Sequence, residues 1–416
     1  MANDDAAMVI VGAGLAGARA AQTLREEGFA GRVVLVGDEQ ERPYERPPLS
    51  KEYLQGHAER DSVFVHPDHW YADHGIELRL GVPATGIEPA VHELVLGDGD
   101  RVGYARLLLA TGSSPRRLHV PGANLDGVHT LRTLADCERI AAAVRTSAHI
   151  VVIGAGWVGL EVAAAARAAE VPVTVIEAAS LPLLRVLGPE IAEVFARLHR
   201  EHGVDLRCDT GLAEVVGRDG RVAGVRLADG TVIDTDTVVV GIGVSPNTEL
   251  AEAAGLEVDG GVVVDQYHRS SDPDVYAAGD VASLWHPAHG RHLRVEHWAN
   301  AQDGGPAAAR AMLGAGPPDD RLPYFFTDQY DLGMEYTGYA APDGYNEVIV
   351  RGDLATREFV AFWLSGGRVL AGMNVNVWNV TESVQRLIRS GQSVATARLA
   401  DPTIRLDDVA RGPVPR

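Results

Sequence analysis

The sequence predicts an α/β protein: two Rossmann-like nucleotide-binding domains followed by a C-terminal α+β domain. Three observations predict it. A strand, glycine turn, helix, strand pattern occurs twice, starting at Met8 and at His149. Each copy carries GxGxxG and closes its second strand on an acid. After about residue 322 the texture changes to alternating strands around a glycine turn.

The elements follow in order. Met8 to Val11 is a short apolar run, then comes Gly12-Ala13-Gly14-Leu15-Ala16-Gly17. An Ala-rich helix spans Ala18 to Glu27 and stops at Gly28. A strand from Arg32 to Val36 then leads into Gly37-Asp38-Glu39. Arg42 to Pro48 holds three prolines and cannot be helix interior. Arg106 to Ala110 is a buried strand closed by Thr111-Gly112-Ser113-Ser114-Pro115. The first pattern returns as a strand at His149 to Ile153 and the loop Gly154-Ala155-Gly156-Trp157-Val158-Gly159. A helix at Leu160 to Ala169 and a strand at Val171 to Ile176 follow, ending on Glu177. Two such units look like an internal duplication. Thr237 to Val240 is another strand, closed by Gly241-Ile242-Gly243-Val244-Ser245-Pro246, and Val275 to Asp280 is a third strand-turn of this kind. After Gln302 the chain reads Asp303-Gly304-Gly305-Pro306 where a continuous amphipathic helix start is expected, and Gly314 to Asp320 reads as a linker. Phe359 to Leu364 and Arg368 to Met373 form a hairpin around Ser365-Gly366-Gly367. Asn379 to Arg389 reads as one helix, capped by Asn379 and Glu382 with Gly391 beyond its end.

Composition narrows the function. The 416 residues carry 46% hydrophobic and 23% charged residues, an ordinary globular balance. No apolar run reaches the ~20 residues of a membrane span. The acidic start Met1-Ala2-Asn3-Asp4-Asp5 lacks the basic region of a signal peptide, so a cytoplasmic protein is expected. Net charge of −20 would repel a phosphate backbone, which argues against nucleic acid as a partner. Cys137 and Cys208 are far apart and form no CxxC. Of the 37 basic residues a single one, Lys51, is lysine. A chain that otherwise uses arginine keeps lysine where a compact ammonium is needed, or by chance.

Each GxGxxG has a physical task. The first glycine makes the turn, the second admits a pyrophosphate to the helix N-terminus, and the third lets helix pack on strand. The strand-end acid follows the last glycine by 21 residues in one copy (Gly17 to Asp38) and by 18 in the other (Gly159 to Glu177). An acid about 20 residues on is suited to ribose hydroxyls. Two dinucleotide sites in one chain imply that one dinucleotide reacts with the other, FAD with NAD(P)H. The N-terminal copy is expected to hold FAD through Gly12, Gly14, Leu15 and Ala16, the Thr111-Gly112 turn and Gly279-Asp280. The second copy is expected to hold NAD through Gly154, Gly156, Trp157, Val158, Gly159, Glu161, Glu177, Arg185 and Gly243. Glu177 has no arginine before Arg185, which favours NADH over NADPH. The expected division is FAD-binding over 1–117 and 246–322, NAD-binding over 118–245, and a C-terminal domain over 323–416.

Further motifs carry a resemblance. They are Tyr44-Glu45-Arg46-Pro47-Pro48-Leu49-Ser50-Lys51, Leu131-Arg132-Thr133, Gly159-Leu160-Glu161, Ser270-Ser271-Asp272-Pro273, and Arg294-Val295-Glu296-His297-Trp298-Ala299-Asn300-Ala301. With these the chain resembles, over its whole length, the FAD-dependent NADH:ferredoxin reductases of bacterial cytochrome P450 and Rieske dioxygenase systems. The resemblance implies a glutathione-reductase-like arrangement and electron transfer from NADH through FAD to a [2Fe–2S] ferredoxin. It implies FAD contacts from Ala16, Asp38, Arg46, Lys51, Ala84, Arg132, Asp280 and Trp298. It also implies that Lys51 lies by the flavin, paired with Glu161, where an ammonium stabilises reduced, anionic flavin. Trp157 is read two ways, as a cover for the isoalloxazine or nicotinamide face or as ordinary packing.

Related chemistries are separable. A disulfide reductase or a cysteine-sulfenate peroxidase needs a flavin-adjacent cysteine, absent near Leu49-Ser50. An apoptosis-factor-like interaction protein of this fold needs a basic face. A flavin-only NADH oxidase remains the alternative. The acidic chain needs a local patch to dock an acidic ferredoxin, for which Arg291, Arg294, Phe325 and Phe326 are the candidates, against a reading as surface charge and core aromatics.

Overall fold

A computed structural model describes residues 7–409. The acidic start, Met1 to Asp5, lies outside the described residues. Contacts divide the chain into two compact units. One comprises the residues up to Arg46, Glu59–Ser114 and Val244–Pro323; the other comprises Pro47–Ala58, Pro115–Gly243 and Tyr324 onward.

In the first unit the fully apolar strand Ala7–Val11 is central. It pairs in parallel with Val33–Val36 and Arg101–Leu109; Ile76–Arg79 and Val275–Ala277 extend the parallel sheet on either side. Strands buried on both faces read as continuous apolar runs, as Ala7–Val11 and Val33–Val36 do, whereas Ile76–Arg79 alternates apolar and charged residues. Ala84–Glu88 and Glu93–Leu96 continue the sheet antiparallel. Small residues of the helix Leu15–Glu26 face the helix Trp298–Met312, with Ala16, Ala20, Ala308 and Ala309 in one buried cluster.

The second unit repeats the plan. Its parallel sheet runs Asp205–Arg207, Val173–Ile176, Ile150–Ile153, Thr237–Val240, Val128–Thr130. A three-stranded antiparallel sheet, Leu212–Arg218, Arg221–Leu227 and Val232–Asp234, packs its apolar side into the same core. The C-terminal sheet is antiparallel, ordered Tyr324–Gln329, Leu332–Gly338, Arg368–Val375, Glu358–Ser365, Glu347–Asp353. Helix Thr381–Ser390 covers it through Val384 and Leu387.

Three local expectations are corrected. The helix Trp298–Met312 continues through Asp303-Gly304-Gly305-Pro306. The glycine serves the crossing: a Cβ on Gly305 would lie 2.2 Å from the Ala16 carbonyl oxygen. The final long helix starts at Thr381, after Asn379 has taken a left-handed φ of 63°, and no side chain caps it. Glu335 engages Thr381 instead, accepting its hydroxyl at 2.9 Å. Asp319, in the expected linker, is buried between His268 and Arg321, at 3.0 and 2.5 Å.

Candidate functional site

The first glycine loop excludes side chains on its inner side and is open on its outer side. Gly12 has φ +117°, and a Cβ there would meet the Ala110 carbonyl oxygen at 2.1 Å; one on Gly17 would meet the Gly12 carbonyl oxygen at 2.0 Å. A Cβ on Gly14 would meet nothing within 4 Å. The helix beginning at Leu15 has neither a side-chain cap nor an acid in its first turn. Its leading N–H groups and positive dipole end therefore suit a pyrophosphate, and the loop fits that group.

The other residues expected to contact FAD in this unit are placed as follows. A Cβ on Gly279 would lie 3.2 Å from the Ala16 Cβ. Ser113 donates to Asp280 at 2.8 Å. The Thr111 hydroxyl donates to the Asn247 carbonyl and the Asn247 side-chain amide to the Thr111 carbonyl, each at 2.8 Å, with Gly112 left-handed between Thr111 and Ser113. Asp38 is exposed at the end of its strand, and Ala84 lies half-buried at the start of its own. The neighbouring Glu39 was given no role by the motif: it accepts the Tyr44 hydroxyl at 2.5 Å and pairs with Arg46 at 3.4 Å. Glu45 accepts the Trp298 indole N–H at 3.1 Å. Acids alternating with Tyr44 and Arg46 were the available signal.

The second loop is built alike. Gly154 has φ +97° and its Cβ would meet the Gly241 carbonyl oxygen at 2.5 Å; a Cβ on Gly159 would meet the Gly154 carbonyl oxygen at 2.2 Å. At Gly156 the nearest atom stands 3.8 Å away. The helix Trp157–Ala168 again lacks a side-chain cap and a first-turn acid. Glu177 accepts the amides of Ala155 and Ala179 at 2.7 and 2.8 Å, which fixes its carboxylate against the loop. Val158 and Arg185 are exposed, and Gly243 is left-handed with open space at its Cβ position. The Arg132 amide donates to Asp136 at 3.1 Å, beside the Thr133 capping box of the helix Leu134–Thr146.

Lys51 and Glu161 meet in this unit. The turn Pro47–Ser50 delivers Lys51, whose Nζ donates to Glu161 Oε1 at 2.7 Å. The Glu161 side chain is 6% exposed and that of Lys51 13%. Two further donors complete the carboxylate, Ser50 Oγ on Oε2 and Thr327 Oγ1 on Oε1, both at 2.5 Å. Three donors, one of them cationic, thus converge on one largely buried carboxylate. Sequence reasoning found Lys51 and Glu161 but not Thr327, which lies 166 positions further along. Nearby, burial holds the Asp328 carboxyl above its usual range, opposed by Lys51. The Lys51 ammonium stands 5.7 Å from the Phe326 ring centroid.

Trp157 packs edge-on against Phe195 and Phe325, with centroids 5.5 and 5.1 Å away, and Phe325 stacks on Tyr336 at 4.9 Å. Phe325 is thus a buried core aromatic and not an exposed docking anchor. Arg294 is ion-paired with Glu296. Arg291 is exposed. Burial pushes the Cys137 thiol up to about 12, so it stays protonated and unreactive near neutral pH.

The chain matches the family model for pyridine nucleotide-disulphide oxidoreductases over residues 6–305 and that for the reductase C-terminal domain over 324–410. It is 40% identical to rhodocoxin reductase of Rhodococcus erythropolis, covering 95% of this chain and 92% of that one. It is 41% identical to the ferredoxin reductase subunit of the 5,5'-dehydrodivanillate O-demethylase of a Sphingobium species, covering 96% and 97%. Among solved structures it superposes on the reductase of a covalent putidaredoxin reductase–putidaredoxin complex with TM-score 0.94 and 38% identity, covering 98% of each chain.

Proposed function

Because the chain belongs to the pyridine nucleotide-disulphide oxidoreductase family and carries its reductase C-terminal domain, we propose that it passes electrons from NADH to a [2Fe–2S] ferredoxin that supplies a cytochrome P450 or a Rieske oxygenase. The enzyme is an oxidoreductase of the FAD- and NAD(P)H-using class. When bound, FAD supplies the conversion of a two-electron donor into one-electron steps. No helix among the described residues is long and apolar enough to cross a membrane, and the cytoplasm is the compartment we assign.

The chain's own residues bind, orient and tune. The loop from Gly12 to Gly17 offers its helix N-terminus to the FAD pyrophosphate, and Asp38 takes the adenosine ribose. Ala84, Thr111, Gly112, Gly279, Asp280, Arg132 and Trp298 complete the FAD contacts, and Arg46 is placed by Glu39. The loop from Gly154 to Gly159 receives the NADH pyrophosphate, with Glu177 toward the ribose and Val158, Arg185 and Gly243 at its rim. Lys51 supplies positive charge beside the flavin and Glu161 fixes that charge in place. The functional division follows 1–117 and 246–322 for FAD, 118–245 for NADH and 323–416 for the C-terminal domain.

The observation that carries this reading is the second glycine loop and its helix, which bear the open anion cradle at Gly156 and, one turn on, the carboxylate that grips the chain's single lysine. The test is NADH-dependent cytochrome c reduction through a panel of [2Fe–2S] ferredoxins, with O₂ uptake recorded in parallel. Reduction that requires a ferredoxin supports the reading. Stoichiometric NADH and O₂ consumption with no ferredoxin accepting electrons replaces it with a flavin-only NADH oxidase.

A further inference from the structure

Behind the Lys51–Glu161 pair runs a buried line of polar side chains that the electron-transfer chemistry does not use. Thr327 donates to Glu161 Oε1 at 2.5 Å. Gln329 Nε2 donates to Thr327 Oγ1 at 3.2 Å, and Gln329 Oε1 faces His199 Nε2 at 2.8 Å. The other imidazole nitrogen faces the Tyr330 hydroxyl at 3.3 Å. Thr327 and Gln329 are each 1% exposed and His199 is fully buried.

The donors in this line have one consistent direction. Burial lowers the His199 pKa to about 4, so the ring is neutral near pH 7 and carries one N–H. With the Gln329 amide nitrogen committed to Thr327, its oxygen must accept, which puts the imidazole proton on Nε2. Nδ1 then accepts from Tyr330. The Thr327 oxygen accepts from Gln329, so its single proton is free to go to Glu161. Every hydrogen in the line points toward one carboxylate, and Glu161 can only accept. Bonds arranged head to tail polarise one another and strengthen the last member. Thr327, Gln329 and Tyr330 come from the first strand of the C-terminal sheet and its turn, while His199 comes from the helix Leu184–Glu201.

We propose that Thr327, backed by Gln329 and His199, is a positioning residue that holds Glu161 as an oriented carboxylate and so fixes the ammonium of Lys51. The C-terminal sheet thereby sets the charge placed beside the flavin by the turn Pro47–Ser50. The consequence for electron transfer rests on the function proposed above. The positioning itself does not, because it concerns only side chains within one unit.

The single lysine makes the test specific. An acylating reagent modifies two kinds of amine in this chain, Lys51 and the N-terminal α-amine, and the second serves as internal reference. The holoenzyme is labelled with limiting acetic anhydride at several pH values, and the ratio is read by peptide mass spectrometry. Thr327→Val, which keeps the shape and loses the hydroxyl, is expected to raise Lys51 acylation relative to the α-amine about tenfold, the scale of a lost charge-assisted hydrogen bond. Thr327→Ser, which keeps the hydroxyl, is expected to restore the wild-type ratio. Gln329→Met is expected to act in the same direction with smaller size. Folding is checked by flavin content and Tm in each variant. A folded Thr327→Val protein with Lys51 reactivity within twofold of wild type overturns the proposal, as does a Thr327→Ser protein that behaves like the valine variant. Since no electron acceptor enters the measurement, a negative ferredoxin assay and a negative labelling result remain distinct.

Discussion

Glu177 accepts the Ala155 amide at 2.7 Å, so the acid that ends the second strand of its βαβ unit also clasps the glycine loop that precedes it. The residue expected to read the nucleotide is thus part of the loop's own architecture, and a substitution there is expected to change coenzyme preference and loop stability together.

NADH is expected to be preferred over NADPH, because a 2′-phosphate beside a fixed carboxylate is repelled. Both Glu177→Gln and Glu177→Ala are expected to narrow the ratio of kcat/KM values for the two coenzymes. The alanine variant leaves both backbone amides without their acceptor, while the glutamine variant, whose amide nitrogen cannot accept, leaves one; each lost acceptor is expected to cost about 1–3 kcal/mol in stability. Steady-state kinetics and thermal melts check this; equal wild-type kcat/KM values for NADH and NADPH would defeat the argument.

Lys51→Arg keeps the charge and loses the compact ammonium that fits against Glu161 at 2.7 Å. Slower flavin bleaching by NADH or lower flavin content is expected, and stopped-flow spectroscopy reads both. Glu161→Gln leaves Lys51 in a largely buried place without its counter-charge, at a cost of about 3 kcal/mol by analogy with broken buried pairs. Wild-type bleaching rate and flavin content in Lys51→Arg would show that the lysine is there by chance.

Gly305→Ala tests the helix crossing beneath the first loop. Its Cβ would stand 2.2 Å from a backbone oxygen of Ala16, which has no flexible end to yield. Overpacking of about 1–3 kcal/mol is expected, together with weaker FAD retention, since Ala16 lies in the first turn of the helix proposed to receive the pyrophosphate. Calorimetry and flavin content after gel filtration would show it; a wild-type Tm would mean that the two helices part without cost.

Stability is expected to fall as pH drops from about 6.5 toward 4, in part through His199. Burial, opposed by the Gln329 hydrogen bond, lowers its pKa to about 4 from an ordinary 6.5. In that window the unfolded chain binds the proton and the folded one does not, so the contribution is intact above about 6.5 and is lost progressively below. At about 1.4 kcal/mol per unit, roughly 3 kcal/mol is at stake. Urea unfolding of wild type and His199→Gln across the window measures it, and parallel pH profiles would rule out the histidine.

Arg291 is exposed on the strand Arg291–Leu293, and Phe325 is core. At ~0.15 M salt the Debye length is about 8 Å, so only local charge steers an acidic ferredoxin toward this acidic chain. Arg291→Glu is expected to raise the KM for ferredoxin and leave NADH–ferricyanide activity unchanged. If both activities move together, or neither moves, Arg291 lies outside the docking face.

Periodicity and glycine spacing were enough to determine the two βαβ units and the hairpin of the tail. These depend on local rules: apolar runs for doubly buried strands, and glycine where a Cβ would strike a carbonyl, as at Gly12 and Gly154. The lone lysine and the acid that grips it were also legible, one by its rarity and the other by its motif. What the tertiary structure alone decided is which residues complete the grip. Ser50 adjoins Lys51 in the chain, but Thr327, Gln329 and His199 reach Glu161 through a strand and a helix remote in sequence. No local pattern marks a threonine whose partner lies 166 positions away. The passage of a helix through Gly304-Gly305-Pro306 was decided the same way. Local propensity is weak there, and a backbone crossing with no room for a Cβ outweighs it.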